Sequence, residues 1–261
     1  MKSKLFLITT VAIAIGIASC KKQAGQDGPQ GSQGPSGPTL TGNLKGFINH
    51  YDFSGSKITT NLLGDSVSID GTSQVSITDA AGGFSFSNLV TGVYNLTIKR
   101  TGYGFSKMQS VQFTGGGDTY RNGNISKLPG TNLTTFSAID TISFGVNVVR
   151  LRGTVPALAT TQNLIMYVSL PGNSVVNSSS TNQSNFYVVA INAGTGSLSF
   201  KKDIPTTDLY DLGFASGNTV YFAAYTLGGN TAASSYSDLT NNKTIFTALG
   251  TTPLYSNAPV Q

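Results

Sequence analysis

Hydrophobic and polar residues alternate in short runs along most of the chain, and clusters of Gly, Asn and Asp separate the runs. Alternation with a period of two is typical of strands that bury one face, and the separating residues favour turns. No stretch keeps the apolar period of about 3.6 residues that marks an amphipathic helix. The pattern therefore predicts an all-β protein with almost no helix.

The runs form two groups, which predict two tandem β-sandwiches at residues 42–129 and 130–261. Predicted strands of the first group lie at or near residues 46–48, 66–69, 75–77, 84–86 and 94–98. Predicted strands of the second group lie at residues 146–151, 164–170, 186–191, 197–200, 219–225 and 244–247. Short polar loops join the runs, as expected for sandwiches of antiparallel sheets.

A turn motif lies within the first group and comprises Thr78, Asp79, Gly82, Phe84, Gly92 and Tyr94. The Asp79 carboxylate can accept hydrogen bonds from the backbone amides that follow it, and Gly82 can adopt a positive φ where the chain reverses. Asp79 could instead be a calcium ligand. A calcium site needs at least about six oxygen ligands, however, and no other carboxylates cluster around Asp79 in the sequence. The turn interpretation is therefore favoured.

These residues resemble the motif T-D-x-x-G-x-F…L-x-x-G-x-Y-x-L-x-I…G-Y of carboxypeptidase regulatory-like domains, which are transthyretin-like β-sandwiches. The positions in register are Thr78, Asp79, Gly82, Phe84, Leu89, Gly92, Tyr94, Leu96, Ile98, Gly102 and Tyr103. The resemblance covers roughly a third of the chain. It implies a seven-stranded sandwich without catalysis, because such modules accompany enzymes and outer-membrane receptors.

The segment at residues 214–225 of the second group resembles the E–F corner and F strand of fibronectin type III or immunoglobulin-like domains. Gly217 precedes Tyr221 there, with a spacing one residue longer than in those domains. The resemblance implies an Ig-like second sandwich in which Tyr221 and Tyr225 occupy core or corner positions.

Two loops of the second group, at residues 177–185 and 228–235, are rich in Ser, Thr, Asn and Gly. Loops at the ends of sandwiches often carry binding sites. An alternative binding surface is an aromatic platform for sugar, formed by Tyr167, Tyr187, Tyr210, Tyr225 and Tyr236. Packing of these rings in the core is favoured over the platform.

The first 19 residues have the pattern of a signal peptide. Two lysines precede an apolar run at residues 5–17, which is short for a membrane span, and small residues precede Cys20. Residues 17–20 resemble the lipobox of bacterial lipoproteins, which implies cleavage before Cys20 and lipidation of its thiol. Residues 1–19 are thus predicted to be a lipoprotein signal peptide. The alternative is an ordinary signal peptide with an accidental cysteine.

Residues 20–41 are predicted to be the lipidated cysteine and a Gly/Pro linker. Five collagen-like Gly-x-y triplets begin at Gly25, Gly28, Gly31, Gly34 and Gly37. The repeat is short, and no coiled coil follows that would join three chains. An extended, polyproline-II-like spacer is therefore favoured, and a collagen-like trimer is the alternative.

Composition narrows the chemistry that the chain can perform. It has 16 Lys and Arg against 11 acidic residues, all of them Asp, and it has one His and one Cys. The basic residues form no stripe interleaved with aromatic rings, so no nucleic-acid partner is expected. One His and one acylated Cys cannot build an ordinary structural zinc site, and no cofactor is expected.

The candidates for catalysis are His50 and a trio of aspartates. His50 lies where a strand is expected to end, and no G-x-S-x-G nucleophile context accompanies it. Glycoside hydrolysis could formally use the carboxylates of Asp203, Asp208 and Asp211. The favoured interpretation is that these three are charged loop residues around a turn. No catalytic residue is therefore expected, and a hydrolase is the less favoured alternative.

Together these features predict a non-catalytic lipoprotein of the bacterial cell envelope, which lipid on Cys20 would hold in the outer membrane. Its two sandwiches would bind a polysaccharide, or a protein of the envelope or host. The alternative is a structural or accessory subunit of an envelope complex, and the sequence leaves open whether the protein faces the surface or the periplasm. Asp65-Ser66-Val67 and Asp140-Thr141-Ile142 also resemble a short acceptor motif for O-glycosylation.

Overall fold

Eighteen strands and one short helix make up the described part of the computed structural model, which comprises Gly37 and residues 39–261. The all-β prediction is therefore correct. The predicted signal peptide, Cys20 and all but the end of the Gly-x-y linker lie outside the described residues.

The first nine strands follow one another between the linker and residue 126. They are β1 (Thr41–Tyr51), β2 (Lys57–Ile58), β3 (Ser66–Ile69), β4 (Val75–Ile77), β5 (Gly83–Val90), β6 (Gly92–Lys99), β7 (Ser106–Phe113), β8 (Asp118–Tyr120) and β9 (Gly123–Ser126). Within residues 39–129 the structure thus has nine strands where the family resemblance implies seven. The extra strands are short, and two of them, β8 and β9, pair in parallel with β1.

Two sheets enclose the core of this first sandwich. Strand β1 pairs with β2, β5, β8 and β9 in one sheet, and the other sheet has the order β4-β3-β6-β7. Alternate residues of the facing strands point inward, so that Leu44, Ile48, Phe84, Leu96 and Ile98 are buried together. This alternation is the pattern that predicted the strands.

The turn motif connects β4 to β5. Asp79 Oδ1 accepts hydrogen bonds from the backbone amides of Ala81 at 2.9 Å and Gly83 at 2.8 Å. Gly82 has a φ of 81°, which a residue with a Cβ adopts only with strain. Beyond the next turn, the Tyr94 hydroxyl donates to the Val90 carbonyl at 2.7 Å. The Asp79 carboxylate thus serves backbone amides of its own turn.

The remaining strands and the helix form the second sandwich. They are β10 (Thr135–Ser143), β11 (Val146–Val155), β12 (Gln162–Val168), β13 (Asn185–Ile191), β14 (Leu198–Pro205), α1 (Thr206–Asp211), β15 (Thr219–Leu227), β16 (Ser235–Asp238), β17 (Lys243–Phe246) and β18 (Leu254–Pro259). One sheet has the order β10-β11-β14 and another the order β13-β12-β15-β18, while β16 and β17 form a separate hairpin. Between the two larger sheets lies a core that includes Val149, Leu151, Leu164, Met166 and Phe222.

The hairpin between β10 and β11 ends in an unusual two-residue turn. Ser143 pairs with Val146, and the turn residues Phe144 and Gly145 have φ values of 50° and 80°. Positive φ at both positions suits a type I′ turn, which favours Asn-Gly, so a bulky aromatic residue is strained at its first position. The Phe144 side chain is fully exposed and gains no packing there.

Replacing Phe144 by asparagine is therefore expected to stabilise the protein by about 0.5–1 kcal/mol, because asparagine tolerates positive φ better. Denaturant unfolding of the two proteins measures the difference. Phe144→Ala is the control, since alanine lacks the side-chain amide that lets asparagine tolerate positive φ and should bring little gain. Equal stability of Phe144→Asn and Phe144→Ala would contradict the strain argument.

Candidate functional site

The two sandwiches meet along a seam built from loops and from the β16–β17 hairpin. The Gly229 amide donates to the Phe53 carbonyl at 3.0 Å, and the Leu239 amide donates to Gln109 Oε1 at 3.0 Å. Strand β16 also packs against β7 of the first sandwich. These contacts hold side chains from both sandwiches close together.

A cavity of about 590 Å³ opens at this seam. We call it the seam cavity, and it is lined by Phe105, Tyr225, Tyr236, residues 177–180 and residues 245–247, 249 and 250. Phe105 belongs to the first sandwich, and the other lining residues belong to the second. The cavity therefore depends on both sandwiches being in contact.

Aromatic rings form one wall of the seam cavity. Phe105 is 39% exposed, and its ring lies 6.0 Å from that of the half-buried Tyr236. Deeper in, Tyr225 packs edge-on against the fully buried Tyr167 at 5.7 Å. Burial raises the pKa of Tyr225, so its hydroxyl stays neutral. The exposed ring surface of this wall thus comes from Phe105 and Tyr236, and the buried rings of Tyr225 and Tyr167 lie beneath it.

A polar loop, residues 177–180, also lines the cavity, and hydrogen bonds hold it in place. Asn177 Oδ1 accepts from the Ser179 amide at 2.8 Å. The Ser180 hydroxyl donates to Asp238 Oδ2 at 2.6 Å, and Asn241 Nδ2 donates to the same oxygen at 2.8 Å. Hydrogen bonds from Asn241 and Ser180 hold the pKa of Asp238 at about 2, so this carboxylate stays ionised and anchors the loop.

No charged side chain is among the residues that line the seam cavity. Its surface combines aromatic rings with hydroxyl, amide and backbone groups, a combination typical of sites that bind small neutral molecules by stacking and hydrogen bonding. None of the lining groups can act as an acid or base near neutral pH, because a buried tyrosine loses its proton only in strong alkali. The lining groups are thus suited to stacking and hydrogen bonding.

The five-tyrosine platform, the less favoured alternative, does not form. Tyr167 is fully buried, Tyr187 packs beside the main core with Lys202 over its ring at 5.6 Å, and the Tyr210 hydroxyl donates to the carbonyl of Gln261. Only Tyr225 and Tyr236 line one cavity. Tyr187 pairs with Met166 and therefore lies on the face of its sheet opposite to Tyr167 and Tyr225. Tyr210 lies in α1 and Tyr236 in the separate β16–β17 hairpin.

Tyr221, the proposed corner residue, is half-buried against the cluster that contains Tyr225. Of the two binding loops expected from composition, residues 177–180 reach the seam cavity. The other loop contributes the backbone contact of Gly229 to the seam.

His50 lies in β1, next to its end, and is fully buried. Its Nε2 lies 2.6 Å from Asp65 Oδ2, and Arg100 Nη1 donates to Asp65 Oδ1 at 3.0 Å. The Tyr103 ring packs against both partners of Asp65. Its centroid lies 5.3 Å from that of the His50 imidazole and 5.3 Å from Cζ of the Arg100 guanidinium. His50 is therefore a core residue in a charge network and is not accessible to a substrate.

Of the aspartate trio, Asp203 is occupied in structural contacts, and Asp208 and Asp211 are exposed on the short helix. Asp203 accepts two hydrogen bonds from Arg150, at 2.7 and 2.8 Å, and one from Ser143 at 3.0 Å. Asp208 lies in the first turn of α1, and Asp211 ends that helix. The hydrogen bonds from Arg150 hold the pKa of Asp203 at about 2, too low for a general acid.

The Asp203–Arg150 pair predicts a pH-dependent contribution to stability. Because the folded-state pKa lies below the ordinary value of 3.8, the contribution is present above that value and is lost as pH falls through about 2. Asp203→Asn is expected to lower the free energy of unfolding by about 1 kcal/mol at pH 7 and by almost nothing near pH 2. Denaturant unfolding at both pH values checks this, with exposed Asp211→Asn as control. A difference that persists unchanged at pH 2 would rule the pair out as the cause.

Both candidate O-glycosylation motifs lie in strands. Ser66 is half-buried in β3 beside the buried Asp65, and Thr141 is half-buried in β10. Glycosylation of either residue remains a prediction.

Sequence reasoning missed Phe105 and the 245–250 segment. Phe105 follows the last residue of the family motif, and no local pattern indicates which residues it meets. Its neighbour Tyr236 is far along the chain, so only the folded structure shows the pair.

Within residues 39–261, no helix is long and apolar enough to cross a membrane. Over the same residues, no group of three or more His, Cys or Asp side chains is placed to hold a metal ion.

No family model matches the chain, and no curated protein matches it. Among solved structures, an interface mutant of a type II cohesin–X-dockerin complex from Acetivibrio cellulolyticus is 26% identical over 30% of this chain, with a TM-score of 0.26. The match spans 51%, about half, of the length of that chain.

Two further structures match over more of their length. A DUF3823 family protein from Bacteroides ovatus is 14% identical, covering 86% of this chain and 100% of the other, with a TM-score of 0.28. A proposed carbohydrate-binding protein from Bacteroides uniformis is 11% identical, covering 74% of this chain and 92% of the other, also with a TM-score of 0.28. These TM-scores are too low for the likenesses to support a function.

Proposed function

We propose that the protein is a non-catalytic lipoprotein of the bacterial envelope that binds a neutral polysaccharide in the seam cavity. The observation that carries the binding role is the uncharged cavity, which is lined by partly exposed aromatic rings and by a hydrogen-bonded polar loop. A sugar ring has apolar C–H faces and a rim of hydroxyl groups, so it matches both the aromatic and the polar groups that line the cavity.

The energy of this contact would come mainly from Phe105 and Tyr236. Covering the exposed part of an aromatic ring contributes about 1–2 kcal/mol, and edge or stacking geometry adds to that. Asn177 and the serines next to it would supply orientation through hydrogen bonds, because their loop is already held in place by Asp238. A preformed loop loses little entropy when the ligand binds.

The membrane attachment rests on the sequence. The apolar run at residues 5–17, the small residues before Cys20 and the absence of another cysteine support a lipid anchor. The carboxypeptidase regulatory-like resemblance of the first sandwich supports an accessory role, because such modules do not perform catalysis. An outer-membrane location belongs to the same proposal.

An accessory subunit of an envelope complex is the second candidate, and one observation favours it. Phe47, Ile77 and Tyr120 are 48%, 59% and 59% exposed, and they line one depression of about 460 Å³ on the first sandwich. Exposed apolar side chains that share one depression often mark protein interfaces. A partner bound there would leave the seam cavity free.

Binding of the full-length, detergent-solubilised protein to a panel of neutral polysaccharides tests the leading proposal. Phe105→Ala and Tyr236→Ala are expected to weaken binding about tenfold each, the equivalent of about 1.4 kcal/mol. Tyr120→Ala removes an exposed ring elsewhere and is the matched control. Binding that is lost with Tyr120→Ala and kept with Tyr236→Ala would move the site to the first sandwich, and no binding to any glycan would refute the proposal.

A further inference from the structure

The outer face of the β10-β11-β14 sheet carries two cations directly opposite each other. Strand β11 lies in the middle, and its Arg152 pairs in register with Ser137 of β10 and with Lys201 of β14. Both basic side chains are exposed. Directly opposed residues in an antiparallel pair have Cβ atoms about 5 Å apart, so the two charges are close neighbours.

The neighbouring row of the same face shows that this arrangement is not a general feature of the sheet. There, Arg150 lies opposite Asp203 and holds it with two hydrogen bonds. Among the described residues, Arg152 and Lys201 have no hydrogen-bonded carboxylate partner, and the nearby Asp203, which attracts Lys201 at a distance, is already bound to Arg150. Among the ion pairs of residues 39–261 neither of them occurs, and the Arg152 side chain makes only a long contact, 3.4 Å, from Nε to the Ser137 hydroxyl.

Like charges placed directly opposite in a sheet are destabilising, whereas a bound anion would turn this repulsion into attraction. The guanidinium of Arg152 offers a planar pair of N–H donors for an oxyanion, and the Lys201 ammonium adds a second charge. On the next row lie the hydroxyls of Thr135 and Thr154, which are 2.8 Å apart, and beside them Ser199. All of these groups line a shallow depression of about 440 Å³.

The geometry points to a binding site for the oxyanion of an acidic polysaccharide, a uronate carboxylate or a sulfate ester, between Arg152 and Lys201. The adjacent row of hydroxyl groups matches the hydroxyls of a sugar ring. A nucleic acid is disfavoured because only two unpaired cations lie here and the outer side chains of this row and the next include no exposed aromatic ring on which a base could stack. This site is separate from the seam cavity, and it goes beyond the proposed function.

Titration of the full-length protein with polygalacturonate, dextran sulfate and neutral dextran tests the site. The double variant Arg152→Gln/Lys201→Gln is expected to bind the charged polymers at least tenfold more weakly than the wild type. The control variant Lys57→Gln/Lys99→Gln changes the net charge equally at exposed positions elsewhere and should keep the affinity. Dependence on Arg152 and Lys201 for polygalacturonate alone identifies a carboxylate site, and dependence for dextran sulfate alone identifies a sulfate site.

Equal binding of both charged polymers to the wild type and the double variant would overturn the inference, and so would a failure of the wild type to bind both of the charged polymers. Equal displacement of the charged polymers by neutral dextran would overturn it too. Lys201→Thr removes the repulsion and should be at least as stable as the wild type, so its weaker binding separates loss of the site from loss of the fold. Binding of neutral glycans in the seam cavity should be unchanged in all these variants, which keeps the two proposals independent.

Discussion

Replacing Cys20 by serine is expected to abolish incorporation of fatty acid into the protein. The thiolate is the nucleophile that lipid transfer needs, and a hydroxyl is far less reactive. Each buried methylene of an acyl chain contributes about 0.8 kcal/mol to membrane binding, so two or three chains hold a protein to the bilayer almost permanently. Loss of the thiol should therefore change both the mass of the mature protein and its location.

Growth with labelled palmitate followed by mass spectrometry of the mature N-terminus measures this effect. The wild type should carry label and begin at an acylated Cys20, whereas Cys20→Ser should carry none. Ser19→Ala is the matched control, because it keeps a small residue before the cysteine and should leave labelling intact. Label in Cys20→Ser equal to that of the wild type would show that the anchor is elsewhere.

Replacing Asp65 by alanine is expected to lower the free energy of unfolding by about 3–5 kcal/mol. Asp65 is fully buried between His50 and Arg100, and its backbone amide donates to the Thr78 hydroxyl at 2.8 Å. Removing one member of a buried charge network leaves its partners without the interaction that offset their loss of water. The Arg100 guanidinium would keep only the Leu63 and Asn61 carbonyls, and the fully buried His50 imidazole would lose its hydrogen bond to Asp65.

Denaturant unfolding monitored by circular dichroism checks this prediction. Asp70→Ala is the control, because Asp70 forms an exposed ion pair with Lys107 and should contribute at most about 1 kcal/mol. If Asp65→Ala and Asp70→Ala lower the free energy of unfolding equally, the buried network contributes no more to stability than an exposed ion pair does. Since His50 lies inside this network, the same experiment also tests its assignment as a structural residue.

Several strands could be predicted because their signals are local. The structure places β3 at Ser66–Ile69 and β4 at Val75–Ile77, the ranges that alternation predicts. In β5 and β6 the alternating Phe84 and Phe86, and Leu96 and Ile98, are buried as a strand period requires. Each of these patterns depends only on residues a few positions apart.

Other strands were missed because an irregularity or weak burial hides their period. In β7 the register shifts opposite Tyr94 and Leu96, and Ser110 has a φ of 52°, so the bulge interrupts the alternation. In β10 most side chains are only half-buried, which blurs the contrast between its faces. The short helix α1 is too brief to show a helical period.

The seam cavity could be predicted only in part. The polar loop at residues 177–180 was expected from composition, and Tyr225 and Tyr236 were among the candidate rings. Phe105 was not, because its contact with Tyr236 depends on how β16 packs against β7. Sequence patterns report which face of a strand is buried, but not which distant loop will lie against it.

Hydrogen–deuterium exchange of the full-length protein, with and without a neutral hexasaccharide that it binds, tests the central claim most directly. If the sugar occupies the seam cavity, backbone amides at residues 177–182 and 235–250 should exchange more slowly in its presence, while those of β10, β11 and β4 should not change. Protection confined to the first sandwich or to the β10-β11-β14 sheet, with the seam unaffected, would contradict the assignment.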